Sequence, residues 1–305
     1  MEYFGLNYFI AAHQRVYLPY LMSAFLIAYV YVKRNPDQSK KLYSKTVWSH
    51  PSAQLDYCYF AVVSFIKMTV ILPLILSSKD VSIWVVLQLQ DSLGYMQSLQ
   101  VEKSSVVVLY TFTLFIAGDF TRYWLHRALH TVPFLWEFHK VHHSAETLTP
   151  VTFYRVHPVE NILFGLRYAL SAGAVTGVFI YLFGANIGHI QVLGANVFVF
   201  IFGIAGANLR HSHIPIRYGD RVEKILISPY QHQLHHTKTL NHKNFGGVLA
   251  LWDTLFNTLH VEKVRDLEFG LKSPQQHHTV GELLLLPFTE TAKKIQISKH
   301  IKEWQ

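Results

Sequence analysis

The stretch HRALHTVPFLWEFHKVHH at residues 126–143, read together with QHQLHH at residues 231–236, decides what kind of molecule this is. It sets eight histidines in three clusters: His126 and His130; His139, His142 and His143; His232, His235 and His236. The spacing is i,i+4 in the first cluster and i,i+3,i+4 in the other two. On a helix these spacings bring side chains onto one face. Neutral imidazole is the commonest metal ligand among side chains. One histidine on an apolar face is ordinarily a hydrogen-bonded core or interface residue. Eight at helical spacing are poorly explained that way, because each neutral ring needs a partner for both nitrogens. All-nitrogen sites suit zinc, copper, iron and nickel. A single zinc takes only three or four protein ligands, so this set is too large for one ion and suited to two.

Outward from the histidines the chain is apolar. Of its 305 residues, 50% are hydrophobic and 15% charged, against roughly 25% charged in ordinary soluble domains. Apolar runs at about 15–33, 56–77, 105–125, 161–183 and 186–206 are each long enough to cross a bilayer and are the candidate spans. The segment 82–97 is apolar but carries three glutamines and Asp91, which suits an interfacial helix or a re-entrant pair. Pro73 should kink or end the second run. The first strong run, Val16 to Val32, lacks a small-residue cleavage site and is followed by KRNPDQSKK, so it reads as a span and not a cleaved signal. The expected fold is all-α: an integral membrane helical bundle with a cytoplasmic histidine-rich metal-binding cap. It reads as a single domain over 1–305, its histidine core at about 118–260.

Charge sets the expected orientation. Lys33, Arg34, Lys40, Lys41 and Lys45 face a single acid, Asp37, in the loop after the first run, which places that loop in the cytoplasm. The second run then exits and the third returns, bringing His126 to the cytoplasmic side. The runs 161–183 and 186–206, joined by GANI at Gly184 to Ile187, leave and come back. All three clusters therefore meet on one side. The net charge of +8 suits an anionic membrane surface. No nucleic-acid partner is expected, since the basic residues form no aromatic-interleaved motif. The single cysteine, Cys58, excludes an intrachain disulfide and any multi-thiolate site. Two neighbouring metals beside a membrane favour oxygen activation on a lipid, while zinc hydrolysis stays open from ligand type alone.

The stretch GDFTRYWLHRALHTVPFLWEFHKVHHSAE, then YRVHPVEN, RHSHIP and SPYQHQLHHTKTLNHKNFGGVLALWDTLFNT, resembles the fatty acid hydroxylase/sterol desaturase superfamily from about Gly118 to Leu259. The resemblance implies a membrane-bound non-haem enzyme with two iron ions, zinc being a substitute in purified samples. It would use O2 and two external electrons to hydroxylate or desaturate a lipid or sterol. It implies metal-ligand roles for His126, His130, His139, His142, His143, His232, His235 and His236, and assigns His211 of RHSHIP to the same set. His213 departs from the pattern, standing where asparagine is frequent; it reads as an extra ligand, an outer group or an interface residue. Asp119 matches the acidic residue before the first cluster and lies seven residues before His126, on the same helical face. It is expected to accept a hydrogen bond from a ligand imidazole, or else to pair with Arg122 or Arg127. His157 and Glu160 also match the pattern, His157 as a ligand, an outer group or a helix cap. Asn257 stands where glycine is common.

The expected activity is thus O2-dependent lipid or sterol hydroxylation or desaturation. The chain shows no flavin, nicotinamide or haem-carrier fingerprint, so electrons would come from a separate donor, a ferredoxin-like protein or a haem carrier with its reductase. The expected location is the bacterial inner membrane or the endoplasmic reticulum. The alternative is a histidine-rich metal transporter or a haem electron-transfer protein. Transport puts polar ligands at mid-bilayer, and a haem needs only two axial histidines.

Overall fold

The structure is a computed structural model that describes residues 7–36, 45–185, 187–192, 195–262, 267–272 and 278–303. Three of its helical segments are long and apolar enough to cross a membrane: Pro51–Leu93, Lys103–Thr131 and Pro158–Phe183. Helix α1, Leu18–Arg34, occupies the first expected run with 17 residues, short of the roughly 20 that a straight crossing takes. It turns Ala24, Ala28 and Val32, spaced one turn apart, onto Leu209 and Ile214 of the cap.

The first long segment is bent. Helix α2, Pro51–Ile66, widens into a π turn at Lys67–Ile71 and ends after Leu72–Leu74. Pro73 is the cause: it lacks an N–H and its ring crowds the carbonyl four residues back, so the ladder loosens and stops. Ile75 is extended, and Ser77 accepts from the Asp80 amide at 3.1 Å to start α3, Ser78–Leu93. The interfacial or re-entrant helix expected at 82–97 is therefore the second arm of the first long segment. Its glutamines do not break it.

Helix α4, Lys103–Thr131, and α6, Pro158–Phe183, run antiparallel. Tyr110 meets Thr176 at 2.7 Å, and Arg167 donates to the Gly118 carbonyl at 2.8 Å. On its other side α6 lies along α3 with both chains advancing in the same direction. A Cβ at Gly177 would sit 2.6 Å from Val85 Cβ, so glycine is what lets these backbones approach. The histidine-bearing end of α4 and the start of α6 face the same way. Between them the chain breaks at Val132 and forms the amphipathic α5, Pro133–His143.

The fifth expected run, 186–206, is not a spanning helix. Its described part holds a short antiparallel hairpin, β1 Gln191–Val192 with β2 Ala195–Asn196, and then α7, Val197–Ile204, of eight residues. Asn196 caps α7 by accepting from the Phe198 amide, and Gly206, at φ 91°, ends it in the left-handed region. The hairpin is tied to α4 where Ile190 donates to Thr111 at 2.9 Å. The chain still returns to the histidine end, half extended and half helical, and delivers the 3-10 turn Ala207–His211. Asn186 of the expected turn, and Asp37, Lys40 and Lys41 of the basic loop, lie outside the described residues.

The cap is completed by α8, Pro229–His235, α9, Leu251–Leu255, and α10, Val280–Glu303. Helix α10 lies on α5: Leu283 packs with Tyr59 and Val141, and Lys294 reaches the buried Glu137 at 2.5 Å. The protein is an all-α integral membrane bundle carrying a histidine-rich cap.

Candidate metal centre

Four elements converge to make the centre, and the cluster spacing explains how. Helix α4 contributes His126 and His130, one turn apart. On α5, His139 and His143 share one face while His142 points to the neighbouring one. On α8, His235 faces one way while His232 and His236 face the other. The 3-10 turn adds His211. The outcome is two adjoining groups: His126, His130, His139, His143 and His235; and His142, His211, His232 and His236. Within each group one ring nitrogen per residue lies within 4.8 Å of all the others. All nine histidines expected from the sequence are brought together here. The rings of His143 and His236 stack at 4.6 Å across the boundary between the groups.

Outer hydrogen bonds decide which nitrogen faces inward. His126 Nδ1 donates to the Phe245 carbonyl at 2.8 Å and His235 Nδ1 to the Lys243 carbonyl at 2.7 Å. His139 Nδ1 meets Glu160 Oε2 at 2.7 Å, and His142 Nδ1 meets the Arg155 carbonyl at 3.3 Å. A backbone carbonyl can only accept, so in the neutral rings of His126, His235 and His142 the proton sits on Nδ1 and Nε2 carries a bare lone pair. Yet the bare Nε2 atoms of His126 and His235 face each other only 3.1 Å apart; Nε2 of His211 stands 3.3 Å from Nε2 of His142. Two facing lone pairs repel unless a cation lies between them. With metal–nitrogen bonds of about 2.0–2.1 Å, neighbouring ligands around one ion stand roughly 3.0–3.4 Å apart, which these separations match. The Nε2 atoms of His130, His139 and His143 are buried and have no hydrogen-bond partner among the described residues, as inward-facing ligand atoms would. The donor set fits a pair of transition-metal ions.

Burial keeps the rings neutral. It pulls His139 and His142 down to about 3, and it holds His143, His211, His232, His235 and His236 well below 6.5, neighbouring histidines adding to the effect. The cap is tied by polar side chains that alternate with the ligand positions. Gln231 completes a capping box with Ser228 and donates to the Glu223 carbonyl at 2.8 Å. Gln233 donates to the carbonyls of Leu209 at 3.0 Å and Ile214 at 2.9 Å, fixing the turn that bears His211. Arg210 is buried and donates to the Ala207 and Gly247 carbonyls. Trp136 packs on His130 at 5.0 Å and Phe153 on His211 at 5.8 Å.

Asp119 does not hold an imidazole. Its Oδ1 accepts from the Val248 amide at 2.8 Å; its Oδ2 accepts from the Leu249 amide and from Trp252 Nε1, both at 3.0 Å. These three donors occupy it, because residues 245–252 fold back over its helix at that level. Among the described residues, Glu160 is the carboxylate that meets one of the nine rings, that of His139. His157 is a helix cap: its Nδ1 accepts from the Val159 amide at 3.1 Å while Nε2 donates to the Leu284 carbonyl at 3.1 Å. His213 lies outside both groups, its ring centroid 6.1 Å from that of Trp48 in a T-shaped contact. Asn257 adopts φ 58°, the left-handed conformation that glycine and asparagine tolerate best. The carbonyls of Phe245, Lys243 and Arg155 escape sequence reading altogether, since every residue has one.

Residues 111–258 match the fatty acid hydroxylase family model. Ornithine lipid hydroxylase of Rhizobium tropici is 28% identical over 191 residues, 62% of this chain and 53% of that protein. Alkylglycerol monooxygenase of Homo sapiens is 27% identical over 166 residues, 53% of this chain and 33% of that protein. A very-long-chain aldehyde decarbonylase of Arabidopsis thaliana is 27% identical over 154 residues, 46% of this chain and 22% of that protein. The matches thus span about half the length of the first relative and a third or less of the others. No solved structure matches the chain.

Proposed function

We propose, from the match of residues 111–258 to the fatty acid hydroxylase family model and from the geometry of the histidine groups, that this protein is a membrane-bound, O2-dependent oxygenase holding two iron ions, and that it hydroxylates a C–H bond of a lipid. His126, His130, His139, His143 and His235 would hold one ion; His142, His211, His232 and His236 would hold the other. When bound, such a centre supplies the reduction of O2: R–H, O2, two electrons and two protons give R–OH and water. The chain's own residues do the rest. Glu160 and the carbonyls of Phe245, Lys243 and Arg155 orient the rings; Trp136, Phe153 and Phe245 wall them; burial excludes water.

The observation that carries the reading is the pair of facing lone pairs at His126 and His235, 3.1 Å apart with both Nδ1 protons committed to carbonyls. A haem carrier would leave most of the nine rings unexplained, and a transporter would set them at mid-span, whereas here they gather at helix ends and in the cap. The hydroxylases and monooxygenases among the relatives favour oxygen insertion into a lipid over desaturation. The substrate is a lipid or sterol with a long hydrocarbon part. Electrons would arrive from a separate carrier, ferredoxin-like or haem-bearing, docked on the cap. The basic residues Lys33, Arg34 and Lys45 flanking the end of α1 favour a cytoplasmic cap, in a bacterial inner membrane or the endoplasmic reticulum.

The test is metal analysis with an absorption spectrum, followed by incubation with total lipid extract, a reductant and isotopically heavy O2. The expected result is about two transition-metal ions per chain, no haem band, and a lipid that gains one heavy oxygen atom. A lipid that only loses two hydrogens makes the protein a desaturase. Absence of bound metal, or identical metal content in His142→Ala and His235→Ala, overturns the reading.

A further inference from the structure

The two histidine groups are supported differently, and one support is electronic as well as steric. The peptide unit joining Phe245 to Gly246 is bonded at both ends. Its carbonyl accepts from His126 Nδ1 at 2.8 Å, and its N–H donates to Asp253 Oδ2 at 2.8 Å. Asp253 Oδ1 accepts from the Phe245 amide at 2.8 Å, and Thr258 adds a third bond at 2.6 Å. The carboxylate is fully buried, and burial lifts its acid form only to about 6, so it is ionised at neutral pH. A charged acceptor on the N–H of a peptide polarises that peptide and makes its carbonyl a stronger acceptor. A stronger acceptor on Nδ1–H makes the imidazole a better ligand through Nε2. The carbonyls serving the other rings lack this arrangement. The peptide that bonds His142 has its N–H, that of Val156, on the Tyr154 carbonyl; the peptide that bonds His235 has its N–H, that of Asn244, on the Thr258 carbonyl. Glycine at 246 is required for the geometry, since a Cβ there would lie 2.6 Å from the Leu249 carbonyl oxygen and 2.9 Å from Asp253 Oδ2.

We infer that Asp253 is a positioning residue for the five-histidine group, acting on His126 through the Phe245–Gly246 peptide. This rests on the two-metal reading above. Its consequence is selective: loss of the Asp253 charge weakens one of the two metal sites and spares the other.

The experiment is graded chelation of purified, iron-loaded protein, following metal per chain and the thermal unfolding midpoint together. The variants are Asp253→Asn, Asp253→Glu and Thr258→Val. In wild type two ions are retained. In Asp253→Asn one of the two should leave about 10–100-fold more readily while the other leaves as in wild type. Repeating Asp253→Asn in a His211→Ala background, where the five-histidine group is whole, should show the same shift on the single remaining ion. Thr258→Val removes a bond to Asp253 but keeps the charge, so it should lower the midpoint without altering metal retention. If Asp253→Asn does not accumulate folded, Asp253→Glu, which keeps the charge at a changed reach, should shift one ion and Thr258→Val none. Equal loss of both ions, unchanged retention in a folded Asp253 variant, or a Thr258→Val effect on metal as large as that of Asp253→Asn overturns the inference. Wild-type protein that holds no pair of ions overturns the metal reading itself.

Discussion

Glu160 offers the most direct measurement of how an outer carboxylate supports the centre. It is fully buried, and its Oε2 meets His139 Nδ1 at 2.7 Å. Replacing it by glutamine keeps a carbonyl acceptor of similar reach and removes the charge. A hydrogen bond to a charged group contributes about 1.5–3 kcal/mol and a neutral one about 0.5–1.5 kcal/mol. The difference, about 1–1.5 kcal/mol, corresponds to roughly a 5–12-fold loss in metal affinity at about 1.4 kcal/mol per decade. Glu160→Ala removes the acceptor as well and lets the ring rotate, so the loss should reach about 10–100-fold. The assay is metal content per chain against a chelator series, with the unfolding midpoint measured on the same samples. Glu160→Gln should fall between wild type and Glu160→Ala, and only one of two ions should respond. Folded Glu160→Ala that retains both ions as wild type does would refute the assignment of Glu160 as the acceptor that holds His139.

Three further outcomes are expected. In a Cys58→Ser background, cysteines at Gln97, beyond the end of α3, and Thr239, in the cap, should react with impermeant reagent from opposite sides of the membrane; labelling of both from one side contradicts the crossing order. Metal-free protein should be most stable above pH 6.5 and lose stability as pH falls, because burial holds the histidines outside the spanning helices far below 6.5 while the unfolded chain takes up those protons. The slope is about 1.4 kcal/mol per pH unit for each proton, and a urea midpoint that stays flat from about pH 8 to about pH 5 contradicts the neutral, buried rings. Gly246→Ala should destabilise the fold by about 1–3 kcal/mol through overpacking, whereas Gly118→Ala, which meets nothing within 4 Å, should leave the midpoint unchanged or raised.

The histidine spacing carried most of the centre. An i,i+4 pair must share a face, so the convergence of the three clusters was legible; the division of α5 and α8 between two groups, with the third histidine of each leaning to the next face, came from the folded chain. Pro73 carried the bend in the first long segment, because a missing N–H and a ring clash act locally. The apolar runs carried three long segments for the same reason: hydrophobic length is a property of the chain itself. The segment 186–206 misled because its apolar composition is satisfied equally by a spanning helix and by a hairpin with an eight-residue helix packed on α1 and α4; Asn196 and Gly206, which start and stop α7, weigh little in a hydropathy reading.

What only the tertiary structure decided is which partner each polar group meets. Asp119 and Glu160 are both carboxylates near histidines in the sequence, yet Asp119 faces backbone amides of 248–249 and Glu160 faces His139. Nothing local distinguishes them, since each outcome depends on a segment more than 20 residues away. The carbonyls that set the tautomers of His126, His235 and His142 are likewise invisible in one dimension, because every residue has a carbonyl and only the fold aims one at an imidazole. The sequence by itself determined the histidine inventory of the centre and the helices that bear most of it, both being matters of residue type and short-range periodicity. The folded chain decided ring orientation, proton position and the pairing of buried charge, which arise from contacts between distant segments.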